Sequence, residues 1–170
     1  MERLTLAIDT STLVLIQDTR EQRGWQELFD NPCCVATLSV GDYSVAGLEH
    51  LVAIERKSLP DLLGSLTHDR QRFERELAKA RAYQRFFILI EADPGDVLHG
   101  RFGRYGSNCN PKSIWESIAA FSVRYAPFIF AGSKHTAARL CESLLLKFAR
   151  EQYRTVERIE QAHRQLREAS

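Results

Sequence analysis

Apolar and polar positions along this chain switch between two periods, and the switches mark out its elements. Leu13-Val14-Leu15-Ile16 and Phe86-Phe87-Ile88-Leu89-Ile90 are unbroken apolar runs of strand length, as strands buried on both faces show. Val52-Ala53-Ile54 is a shorter run of the same kind. Tyr43 to Ala46 reads as the strand before it, with Gly47-Leu48-Glu49-His50 as the hairpin turn between them. Cys34 to Leu38, Pro127 to Ala131 and Leu4 to Ile8 are weaker strand patterns, and Ala92 to Asp96 reads as a loop. Helical spacing takes over elsewhere. Phe73, Leu77 and Ala80 share one face between Asp69 and Tyr83, and Ile114, Ile118, Phe121, Ser122 and Tyr125 another. Asn110 and Pro111 are cap and first residue of the latter helix, and Ser58 and Pro60 start a short one running to Leu66. Gly24 to Phe29 predicts a short amphipathic helix that Asn31-Pro32 ends. A long helix is expected from Lys134 to Glu168, with an apolar stripe that thins beyond Arg150.

The charged residues at the end of the Val52 run change this picture from architecture to chemistry. Strand side chains alternate, so Glu55 and Lys57 point one way and Arg56 the other. Hairpin pairing sets Asp42 across from Glu55. Two facing carboxylates suit a hard divalent cation, which polarises a phosphoryl group and lowers the pKa of an attacking water. Lys57 can hold the nucleophile and offset transition-state charge. Asp61, about one helical turn further on, can reach the same cation or orient Lys57.

At these residues the chain resembles a known family. Gly41-Asp42, Glu55-Arg56-Lys57 and Asp61 are similar to the GD-xn-ERK-xxx-D signature of XPF-type structure-specific endonucleases, a variant of the restriction-endonuclease-like acid–E-x-K pattern. Asp18-Thr19-Arg20-Glu21, after the first apolar run, is similar to the family's D-x-R-E motif. The resemblance implies an α/β fold: a central mixed sheet flanked by helices, restriction-endonuclease-like, with residues 1–150 as the nuclease domain and residues 151–170 as a helical extension. It implies Mg2+- or Mn2+-dependent hydrolysis of DNA phosphodiesters at branched, flap or fork structures. Asp18, Asp42 and Glu55 would hold metal, and Asp42, Glu55, Lys57, Asp61 and Arg56 would form the catalytic set. Arg20 would lie near the scissile phosphate with Glu21 beside it, and Arg70 and Arg72 would approach DNA. Arg20 and Arg56 also fit structural ion pairs. Glu91 fits either support for the metal site or an arginine partner. A catalytically silent DNA-binding or scaffold subunit, and a resolvase or exonuclease using the same metal site, are the alternatives.

Composition narrows the partners. The 170 residues carry a net charge of +1, so DNA binding must rest on local patches or on the metal. One candidate patch is the segment Gly100 to Asn110. There Arg101 and Arg104 interleave with Phe102 and Tyr105, as suits phosphates and unstacked bases, although a plain surface loop has the same composition. Cys33, Cys34, Cys109 and Cys141 lack zinc-site spacing and read as free thiols of a reducing, cytoplasmic or nuclear compartment. No apolar run reaches the roughly 20 residues of a membrane span, and no signal peptide is expected. No helix-hairpin-helix pattern follows Arg150, which implies a stand-alone domain that relies on a homodimer or a partner protein for its grip on DNA. Leu145, Phe148, Gln152, Thr155, Ile159, Ala162 and Leu166 trace a weak coiled-coil seam for such a partner.

Overall fold

A computed structural model describes residues 8–105 and 108–169. The strand expected over residues 4–8 lies, except for Ile8, outside the described residues, as does Gly106 of the basic loop. Strands β1 (Leu15–Asp18), β2 (Cys33–Ala36), β3 (Tyr43–Val45), β4 (Val52–Ser58), β5 (Arg85–Glu91) and β6 (Phe128–Phe130) form one six-stranded sheet in the order β2-β1-β3-β4-β5-β6. Only β3 runs against its neighbours β1 and β4; the β1–β2, β4–β5 and β5–β6 pairs are parallel. The sheet is therefore mixed, as expected, with the antiparallel strand placed at the candidate site.

Helices cover both faces, which is what the unbroken apolar strands require. On one face lie α1 (Leu59–Leu66), α2 (Arg70–Ala80), α3 (Pro94–Leu98) and α4 (Pro111–Arg124), burying Leu62, Phe73, Leu77, Val97, Ile114 and Phe121 with Ala53, Ile88 and Ile90. On the other lies α5 (Lys134–Glu168), whose Ala137, Ala138, Cys141 and Leu145 meet Trp25, Tyr43, Val52, Ile54 and Leu89. Alternate residues of β4 enter different cores, so both faces of this strand are fixed by packing.

Local chemistry explains most boundaries. Ser58 caps α1 by accepting from the Asp61 amide, and Asn110 caps α4 through the Ser113 amide. The first strand begins two residues later than the apolar run and takes in Gln17 and Asp18, because both find partners: Gln17 accepts from the Gln26 amide and Asp18 from Leu38 and Arg20. Gly24 to Phe29 forms only a single tight turn, Gln26–Leu28. The expected loop after β5 instead holds α3, which Asp93 and Asp96 close with a reciprocal capping box. The helix expected over residues 134–168 is α5, which runs through Arg150 without a break, and beyond Tyr153 its side chains are almost all exposed. Among the described residues no helix is long and apolar enough to cross a membrane.

Candidate active site

The hairpin β3–β4 assembles the acidic pair. Tyr43 stands opposite Ile54 in the antiparallel register, and one step further Asp42 stands opposite Glu55, fixed by the Asp42 amide donating to the Ile54 carbonyl at 2.8 Å. Gly41 makes the turn into this position with φ near 80°, and its Cα sits so close to Ala53 and the Ile54 carbonyl that a Cβ would meet both at 3.1 Å. On the other side β1 is paired so that the Asp18 amide donates to the Asp42 carbonyl at 2.7 Å. Asp18, Asp42 and Glu55 thus follow one another across three neighbouring strands, on the face that carries Ala53.

The three side chains do not behave alike. Asp42 Oδ2 accepts from the Arg56 amide at 2.7 Å, and burial, reinforced by the facing Glu55 carboxylate, pushes the Asp42 carboxyl up to about 8. Lys57 Nζ contacts Glu55 Oε1 at 2.8 Å and lies 5.0 Å above the Phe73 ring. Burial works against its charge, but Glu55 and then Asp42 outweigh that and raise its pKa. Asp18 engages its oxygens outside this group. Its Oδ1 accepts from the Arg20 amide and Nε at 2.9 and 2.6 Å, and its Oδ2 from Arg20 Nη2 and the Leu38 amide at 3.2 and 2.6 Å. Burial opposes the Asp18 charge, yet these bonds hold its carboxyl below the usual range. Among the described residues no three His, Cys, Asp or Glu side chains are gathered closely enough to hold a metal ion. The expected three-carboxylate set is therefore aligned by the backbone but not assembled. Its donors that do face each other are the oxygens of Asp42 and Glu55, a chemistry that fits a hard divalent cation. Arg20 is two-thirds exposed, bonded to Asp18, and raised further by the charges of Asp42 and Glu55.

The remaining expected residues divide between the site and the scaffold. Asp61 is exposed and accepts from Ser58 Oγ at 2.6 Å, so it completes the start of α1. Arg56 leaves through the opposite face of β4, where Nε and Nη2 bond the two oxygens of Glu91 at 2.9 and 2.7 Å and Nη1 lies 3.6 Å from Glu21. Of the two roles open to Glu91, the structure shows the arginine partner. Arg70 donates to Ser117 at 2.9 Å and stacks 4.7 Å above Phe121, tying α2 to α4, whereas Arg72 is exposed beside Asp69 and Glu76. Arg101 pairs with Asp96 at 2.8 Å, and Arg104 is exposed. The basic loop does not present Phe102 to bases, because that ring is buried in the core beneath α3 and α4.

Sequence reasoning missed two contributors. Trp25 bonds Glu91 through its indole N–H at 2.8 Å, and Tyr43 accepts from the Trp25 amide at 2.9 Å. The adjacency of Tyr43 to Asp42 was a visible signal for the second; nothing in the pattern around Trp25 distinguished it from an ordinary core residue.

Comparison with known proteins bears on the same residues. Residues 17–144 match the family model described as the ERCC4 domain. The DNA repair endonuclease XPF of Mus musculus is 47% identical over 111 residues, and that of Cricetulus griseus 31% identical over 111 residues. Each alignment covers 64% of this chain but only 12% of the relative, so the chain spans a small part of these proteins. XPF from Aeropyrum pernix has a similar fold, with a TM-score of 0.61 at 22% identity over 78% of this chain and 59% of that one. The same protein in complex with DNA gives 0.62 at 22% identity, over 82% and 66%.

Proposed function

Because the chain belongs to the ERCC4 domain family and has the fold of an XPF-type nuclease domain, we propose that it is a metal-dependent endonuclease cutting DNA phosphodiesters at branched, flap or fork structures. The observation that carries this reading is the Asp42–Glu55–Lys57 group: two carboxylates held against each other with an ammonium 2.8 Å from one of them. A bare core has no use for such a pair, since like charges in a partly buried place repel. A divalent ion, Mg2+ or Mn2+, bound by Asp42 and Glu55 would supply Lewis acidity at the phosphate and a more acidic water.

The side chains do the rest. Lys57 holds the attacking oxygen against Glu55 and offsets the charge that grows on the phosphoryl oxygens. Arg20, held by Asp18 yet largely exposed, meets a phosphate of the strand at the edge of the acid pair. Arg72 and Arg104 offer further backbone contacts. A net charge of +1 gives no long-range field, so the grip on branched DNA comes from a second nuclease domain or a partner chain, an assembly that light scattering with and without DNA would reveal.

Cleavage of end-labelled 3′-flap and fork DNA in Mg2+ or Mn2+ tests the activity, with linear duplex as control. Cutting near the branch that both Asp42→Ala and Lys57→Ala abolish is the expected result. A folded protein that cuts no branched substrate with either ion, across nicked, flapped, forked and four-way junctions, would overturn the enzymatic reading and leave a scaffold role.

A further inference from the structure

We propose that Trp25 is a positioning residue for the acidic pair, acting from the far side of the sheet through Tyr43 and through Glu91 and Arg56. The inference rests on the metal-dependent reading above.

The two routes are both short. Trp25 is fully buried, and its indole stacks on the Tyr43 ring at 4.7 Å with the planes only 4° apart. Its backbone N–H donates to the Tyr43 hydroxyl at 2.9 Å. Tyr43 directly follows Asp42, so this contact fixes the β3 side of the pair. Through its ring nitrogen Trp25 donates to Glu91 Oε1 at 2.8 Å, the oxygen that also accepts from Arg56 Nε. Arg56 in turn donates its backbone N–H to Asp42 Oδ2 at 2.7 Å. One indole therefore touches the residue next to Asp42 and the carboxylate that clamps the residue between Glu55 and Lys57.

Alternation makes the clamp effective. Arg56 cannot face the same way as Glu55 and Lys57, so its side chain, only 9% exposed, must be satisfied on the α5 face. A buried ion pair is poor value for stability alone, since apolar residues of similar volume serve as well. What it does provide is direction. Glu91 grips the planar guanidinium at two nitrogens, Glu21 approaches a third, and Trp25 removes the remaining freedom of Glu91. Groups that orient ligands in this indirect way typically change metal affinity by about 10–100-fold when removed.

Trp25→Phe keeps an aromatic ring against Tyr43 and deletes the indole donor together with the five-membered ring that carries it. The Mg2+ concentration for half-maximal cleavage is expected to rise about tenfold, with cleavage at saturating Mg2+ within about threefold of wild type and a lowered melting temperature, because the smaller ring leaves a gap in the core. Glu91→Gln, which keeps an oxygen for the indole but removes the charge facing Arg56, is the second variant and should shift Mg2+ dependence the same way if Trp25→Phe folds poorly. A second readout needs no DNA. The chain has two tryptophans, each giving one indole N–H resonance. Trp115 stacks on Phe130 under α4 and serves as the internal control. Titrating Mg2+ into the 15N-labelled protein should move the Trp25 indole signal and the Arg56 amide together, leave Trp115 in place, and lose both shifts in Asp42→Asn. An Arg56 amide that responds while the Trp25 indole does not, with wild-type Mg2+ dependence in Trp25→Phe, would overturn the positioning role alone. No response at either position, with no cleavage, would overturn it together with the metal-dependent reading.

Discussion

Replacing Asp42 by Asn should make the protein more stable, and increasingly so as the pH rises. Asp42 carries a carboxyl that burial and then Glu55 raise from 3.8 to about 8. The sign follows from linkage. A group whose folded pKa lies above its unfolded value contributes stability that is fully present below the unfolded value and is lost as pH rises through the folded one. The wild type should therefore lose stability progressively from about pH 4 to pH 8 on account of this residue. At about 1.4 kcal/mol per pH unit the ceiling is about 6 kcal/mol. Water at the rim of the pair and the neighbouring Lys57 reduce this, and roughly 2–3 kcal/mol is the figure to expect. Asn keeps an oxygen for the Arg56 amide and has no proton to lose in this range. Urea unfolding in EDTA at pH 3.5 and pH 9, for wild type and Asp42→Asn, isolates the acidic pair, since titrations remote from it cancel in the difference. The variant should be nearly level with wild type at pH 3.5, below the unfolded value, and more stable by those 2–3 kcal/mol at pH 9. A difference that stays within about 0.5 kcal/mol at both pH values would mean that Asp42 ionises normally, and the idea of a repelling acidic pair would be wrong.

Three further outcomes follow from the same structure. Gly41→Ala forces a side chain into φ near 80° and against Ala53 and the Ile54 carbonyl; a loss of about 2–3 kcal/mol in urea unfolding is expected, and wild-type stability would contradict the close approach. Arg70→Ala removes the bond to Ser117 and the stack on Phe121, costing about 1–2 kcal/mol of stability while leaving the salt dependence of DNA binding unchanged; Arg72→Ala should do the reverse, with stability held within about 0.5 kcal/mol. Removal of residues 154–170 deletes an almost wholly exposed stretch of α5 and should move the melting temperature by no more than about 2 °C, whereas a fall beyond about 5 °C would show that the stretch is packed.

How far the sequence disclosed this arrangement differs from residue to residue. The hairpin was legible because its signals are local: Gly41 for the turn, an apolar run for β4, and strict alternation for the opposed directions of Lys57 and Arg56. The register that sets Asp42 opposite Glu55 followed from hairpin length alone, and α5 was legible from end to end because helical spacing persists for its whole length. Asp18 was harder. Its strand position could be read, but whether its oxygens face Asp42 or Arg20 depends on the Leu38 amide, which comes from another part of the chain. Phe102 and Arg70 show the same limit. Their neighbours in sequence are basic and polar, and only the packing of α4 beneath them turns one into core and the other into a tie between helices.

The two-sided character of β4 links these observations. Glu55 and Lys57 can face the Asp42 side of the sheet only while Arg56 is satisfied on the opposite face, and that satisfaction comes from Glu91 on β5 and Glu21 after β1. The parallel register of β4 and β5, with Arg56 beside Leu89 and Ser58 beside Glu91, brings Glu91 within reach on the α5 face. A slip of one residue would turn Glu55 toward the carboxylates of Glu91 and Glu21 and take Arg56 away from both. Buried charge without a partner costs several kcal/mol, so the same residues that arrange the chemistry also forbid the wrong register. The Glu55-Arg56-Lys57 sequence thus works as a unit in which the middle residue sets the direction of the outer two. A substitution at Arg56 should accordingly damage the site even though its side chain points away from the acidic pair.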